Sequence, residues 1–149
     1  MADGPSEGGA DAQARAQAGS RPMPLSPHLT IYRWPITMAA SIVHRATGLF
    51  MVLGILFITW WLIAAASGPD AYDRFVACAA SPIGRLVLFG LVGSLAFHLL
   101  NGIRHLAWDL GYGYSLPTSR RSAAFVFGMS ALIALGIFAL GYMQVGGLF

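Results

Sequence analysis

The chain has 149 residues, enough for one domain, yet only 10% are charged while 56% are hydrophobic. A soluble domain carries about 25% charged residues, so this exterior cannot be clothed for water and most of it must face lipid. The formal net charge is +3 with scattered basic residues, which excludes a nucleic-acid footprint, and the single cysteine, Cys78, excludes an internal disulfide, an iron–sulfur cluster and a thioether-linked haem.

All nine basic residues are Arg. Genomic composition bias is the bland explanation; the functional one is that guanidinium forks suit phosphate, carboxylate and quinone oxygens. No Gly-x-Gly-x-x-Gly segment or P-loop is present, so the chain lacks flavin or nucleotide chemistry of its own.

Residues 1–20 hold no aromatic and no β-branched side chain and are expected to form a disordered tail. The tail has no apolar core for a secretory signal. Asp3, Glu7 and Asp11 argue against a mitochondrial transit peptide, so a bacterial inner membrane is expected. Residues 21–40 mix four prolines with aromatics and Arg, which excludes a long regular helix. Tyr32 and Trp34 suit a membrane interface, so a short interfacial segment is expected before the first span.

Three apolar stretches follow: 46–66 and 86–103 are uncharged, and 123–149 carry no charge at all. A spanning helix needs roughly 20 mainly apolar residues. The expected fold is therefore all-α and integral to the membrane, with three transmembrane helices at about 42–66, 83–107 and 123–146. Breaks are expected at Ser67-Gly68-Pro69, Ser81-Pro82 and Leu116-Pro117-Thr118. Arg15, Arg21, Arg33 and Arg45 precede the first span, and Arg104, Arg120 and Arg121 surround the second-to-third connection. The positive-inside rule then puts the N-terminus in the cytoplasm and the C-terminus in the periplasm.

Ionisable residues within a span cost several kcal/mol on insertion scales and usually face a partner or a cavity. One cluster is Ser41, His44 and Arg45, entering the first span. Ser41 and Arg45 are four apart and share a helix face. As a hydroxyl and a guanidinium they can grip a carbonyl oxygen that becomes anionic on reduction. The bland alternative has Arg45 snorkelling to headgroups and Ser41 bonding its own backbone.

The second cluster is His98, Asn101, Gly102, Arg104, His105 and Asp109. His98, Gly102, His105 and Asp109 fall in one stripe, with Ser94 deeper, while Arg104 points to another face. Asp109 is placed to orient His105 or relay protons. His98 is expected to be the only histidine deep in a span. It is either an axial haem ligand or an interhelical hydrogen-bonding residue. With one deep imidazole, a second axial ligand must come from another polypeptide, which implies a heteromeric helical bundle.

Two segments resemble the cytochrome b subunit of succinate dehydrogenase. One runs from Arg21-Pro22 through Leu25-Ser26-Pro27-His28 and Ile31-Tyr32-Arg33-Trp34-Pro35-Ile36-Thr37 to Ser41-Ile42-Val43-His44-Arg45-Ala46-Thr47-Gly48; the other is His98–Gly111. The Met23-Pro24 pair departs from the pattern. The resemblance implies a membrane anchor that shares haem b with a smaller anchor subunit. It also implies a flavoprotein subunit that oxidises succinate and an iron–sulfur subunit that passes electrons to ubiquinone. Carried over, His98 is the haem-iron ligand, and His44, Arg45 and His105 lie in the haem-propionate environment. Ser41, Arg45 and Trp34 line the ubiquinone site.

The anchor of a quinol:fumarate reductase fits the same residues, and haem and quinone potentials would separate the two. A small proton channel predicts vesicle uptake and no haem. A pure anchor predicts a colourless complex.

Overall fold

The computed structural model describes residues 33–144. The expected tail, the interfacial segment up to Tyr32 and the last five residues lie outside the described part. The regular structure described is helical throughout: α1 (Ile36–Ser67), α2 (Pro69–Ala80), α3 (Pro82–Asp109) and α4 (Leu116–Gln144).

Helices α1, α3 and α4 are long and apolar enough to cross a membrane, with mean hydropathy of 2.4, 1.9 and 2.3 over their best windows. Their lengths of 32, 28 and 29 residues correspond to roughly 42–48 Å of helix, more than the roughly 30 Å hydrocarbon layer. Each therefore outruns its expected span. Helix α1 begins directly after Pro35, the last of the four early prolines. Pro35 sits extended at the N-cap, where its carbonyl accepts from the Met38 and Ala39 amides.

Between the first two spans the sequence suggests only breaks, and the structure contains a further helix, α2. Gly68 turns the chain with φ +107, a value that L side chains rarely adopt. Pro69 then opens α2 without a wasted amide, and Asp70 lies in its first turn, favourably placed on the helix dipole. Phe75, the buried residue of α2, packs against Phe57 and Trp60 of α1 at centroid distances of 5.1 and 4.9 Å. Ser81 caps α3 by accepting from the Gly84 amide at 3.0 Å. Gly84 must be glycine for steric reasons: a Cβ there would strike the backbone carbonyls of Cys78 and Ala79.

The three long helices meet through small contacts. Ala40 of α1, Phe97 of α3, and Ala123 and Val126 of α4 form the buried cluster, with Val43, Leu100 and Phe127 against it. Large apolar side chains such as Leu49, Leu99 and Leu132 lie outside. That inversion of a soluble core is what lipid-facing helices require, since they associate by close packing of small residues and by hydrogen bonds.

Candidate functional site

The site lies where α1 crosses α3, at the end of the bundle near the Ala40–Ala123 cluster. His98 of α3 sits face to face with His44 of α1, their ring centroids 3.9 Å apart and their planes 16° from parallel. His105 is tilted against His44, their ring centroids 5.3 Å apart. The expectation that His98 would be alone at its depth is therefore corrected. Helix α1 starts early and carries His44 alongside it. Among the described residues these imidazoles do not form a chelating set for a metal ion.

The His98 ring is anchored through one nitrogen. Its Nδ1 lies 3.2 Å from the His44 carbonyl and 3.4 Å from the Thr47 hydroxyl. A carbonyl can only accept, so Nδ1 carries the proton and the Nε2 lone pair is left free. Nε2 makes no hydrogen bond to a described residue. Gly48 makes this approach possible: a Cβ there would lie 3.2 Å from His98 Cε1 and 3.6 Å from Nδ1.

A second arrangement lies on the opposite face of α3. Arg104 is buried and turns toward α4, as its position off the His98 stripe predicts. Its Nε donates to Ser122 Oγ at 2.9 Å, and its Nη2 donates to Ser119 O and Oγ at 3.2 and 3.1 Å. Its Nη1 donates to Asn101 Oδ1 at 3.2 Å, and Trp108 lies over the guanidinium at 4.0 Å. Because Oδ1 of Asn101 is taken by Arg104, its amide NH₂ points at His105 Nε2, 3.2 Å away. That contact makes Nε2 of His105 the acceptor and leaves its Nδ1–H as the free donor.

The structure does not pair His105 with Asp109. Asp109 is exposed at the end of α3 and makes no hydrogen bond to a described residue, while the His105 nitrogen is held by Asn101. Arg45 is exposed and forms no ion pair with a described residue. Ser41, one turn before Arg45, is half-buried. Thr59, Ser67 and Ser130 each donate to a carbonyl three or four residues back; Ser41 makes no such bond to a described residue. Trp34 is 67% exposed just before α1. The surface beside Gly102 is open, since a Cβ there would meet nothing within 4 Å. Ser94 is half-buried and likewise makes no hydrogen bond to a described residue.

One ring nitrogen, His44 Nδ1, is buried and unpaired. A buried polar atom without a partner costs about 1–3 kcal/mol, and such an atom marks a place where a hydrogen-bond partner belongs. An apolar cleft of about 420 Å³, lined by Phe75, Val76, Leu88, Val92, Ile137 and Phe138 among others, contains none of these histidines.

A family model described as succinate dehydrogenase/fumarate reductase transmembrane subunit matches residues 19–137. The chain belongs to this family. It is 40% identical over 122 residues to the succinate dehydrogenase cytochrome b556 subunit of Paracoccus denitrificans, covering 82% of this chain and 92% of that relative. Over 119 residues it is 36% identical to the mitochondrial succinate dehydrogenase cytochrome b560 subunit of Homo sapiens, covering 78% and 70%. The cytochrome b556 subunit of Rickettsia prowazekii (strain Madrid E) is 42% identical over 94 residues, covering 62% and 72%. All of the site residues of this succinate dehydrogenase/fumarate reductase anchor lie inside the matched segment.

Thr47, Asn101, Ser119 and Ser122 acquire their roles only through contacts between helices or between side chains. The one signal in the sequence is that hydroxyls and an amide recur at the polar ends of otherwise apolar spans.

Proposed function

We propose that this chain is the larger membrane-anchor subunit of a succinate:ubiquinone oxidoreductase, holding haem b together with a smaller anchor subunit and forming one wall of the ubiquinone site. The observation that carries the reading is His98: its Nδ1–H is tied to the α1 backbone while Nε2 makes no hydrogen bond to a described residue. That is how proteins present a neutral imidazole to a metal.

Haem b, when bound, supplies a one-electron carrier beside the quinone. His98 would hold its iron through Nε2. His44 and His105 would face its propionates: His44 has an unmet ring nitrogen, and His105 has a free Nδ1–H fixed by Asn101. His44 would not hold the iron together with His98 in this arrangement, because the two rings are in face contact at 3.9 Å; a second imidazole would come from the partner anchor.

Arg45 brings a fixed positive charge to the quinone side. It stabilises a reduced, anionic quinone oxygen more than the neutral carbonyl, which is the differential stabilisation catalysis requires. Ser41 donates a hydrogen bond to the same oxygen, and Trp34 closes the site at the interface. Asp109, exposed at the end of α3, is the proposed proton relay from water. The complex would include a flavoprotein and an iron–sulfur subunit docked on the cytoplasmic side of a bacterial inner membrane, with the N-terminus on that side. The names of the relatives favour succinate oxidation over fumarate reduction.

His98→Ala tests the reading. The reduced-minus-oxidised spectrum of the assembled complex is expected to lose its haem b bands; an unchanged spectrum would sink the ligand assignment.

A further inference from the structure

On the reading of His98 as haem ligand, we propose that Thr47 and Gly48 of α1 are positioning residues for that ligand. Together they fix its distance from α1, its rotation and its basicity. Neither would touch the iron; both act through the imidazole.

Gly48 sets the distance. A Cβ at this position would stand 3.2 Å from Cε1 of His98, closer than ordinary contact, so any side chain pushes the ring off α1 by a few tenths of an ångström. The ring is also in face contact with His44, so displacing it disturbs that stack as well. Thr47 sets the rotation. Its hydroxyl proton is committed to the His44 carbonyl at 2.9 Å, which turns the oxygen lone pairs toward His98. The Nδ1–H of His98 is thus shared between that oxygen at 3.4 Å and the carbonyl at 3.2 Å. Rotating the ring would weaken both bonds.

The chemical consequence concerns Nε2. An imidazole whose Nδ1–H is hydrogen-bonded is a more basic ligand through its other nitrogen. A more basic axial ligand favours ferric over ferrous iron and lowers the haem potential. Weakening the contacts with α1 therefore raises the potential and loosens the haem.

The test uses the assembled complex carrying Thr47→Val, Thr47→Ser, Gly48→Ala or His98→Ala. Its readouts are haem content, rate of haem loss and haem midpoint potential by redox titration. Thr47→Val is expected to shift the potential upward, and Thr47→Ser, which keeps the hydroxyl, to restore the wild-type value. Gly48→Ala is expected to shift it further and to speed haem loss by about 10-fold or more. A wild-type potential in both Thr47→Val and Gly48→Ala, with haem abolished in His98→Ala, would overturn the positioning role while leaving the ligand reading intact. Equal shifts in Thr47→Val and Thr47→Ser would overturn it too, since the hydroxyl would not be the cause. A retained haem spectrum in His98→Ala would instead reject the ligand reading itself. Should Gly48→Ala fail to assemble, the Thr47 pair decides.

Discussion

Arg104→Ala should be far more damaging than Arg120→Ala or Arg121→Ala, for reasons that can be counted. The guanidinium makes four hydrogen bonds, to Asn101, to Ser122 and twice to Ser119, and lies against Trp108. Hydrogen bonds between membrane helices are worth about 0.6 kcal/mol on average and up to about 1.7. Truncation also strands the Oδ1 of Asn101, a fully buried residue, at about 1–3 kcal/mol. The expected loss is about 3–5 kcal/mol, and it unlocks α3 from α4. Arg120→Ala and Arg121→Ala provide the control: both side chains are exposed and form no hydrogen bond with a described residue, so each should cost less than about 0.5 kcal/mol. Reversible SDS titration of the full chain in mixed micelles measures the three side by side. The reasoning fails if Arg104→Ala unfolds at the same SDS fraction as Arg120→Ala.

Three further outcomes are expected. Arg45→Ala should lower quinone reductase activity by about 10²-fold while succinate oxidation by a soluble artificial acceptor survives; parallel loss of both activities would count against a quinone role. The chain expressed without its partners should bind haem poorly, because His44 is stacked on His98 rather than opposed to it; a full bis-imidazole spectrum from the isolated chain would refute that. Gly84→Val should detach α2 from the start of α3, because its side chain would meet the carbonyls of Cys78 and Ala79. Faster limited proteolysis between α1 and α3 is the readout, and wild-type resistance would contradict the packing.

The polar stripe of α3 was legible residue by residue because helical spacing is a local rule. His98, Gly102 and His105 needed only about 100° per residue to fall together, and Arg104 falls off that stripe for the same reason. The pairing of His105 with Asp109, although allowed by their four-residue spacing, is not made. Asn101 is also four residues from His105, and Arg104 holds its amide in the orientation that reaches the ring. Spacing admits both partners equally; the structure makes the Asn101 contact, through Nε2, and leaves Asp109 without a hydrogen bond to a described residue.

Composition and pattern alone determined that this chain crosses a membrane three times. Uncharged runs of such length cannot be hidden in water by a chain this short, and backbone groups in lipid can be satisfied only within helices or closed barrels. They did not determine how the helices are rotated against one another. The partners of His98 Nδ1 lie 51 and 54 residues away along the chain. The Arg104 clamp likewise reaches 15 and 18 residues forward into α4. Such contacts depend on which small residues let two helices approach and at what register, a property of both surfaces at once. Only the packed bundle brought His44 onto His98, set Gly48 beside Cε1 of the ring and left Nε2 without a hydrogen bond to a described residue.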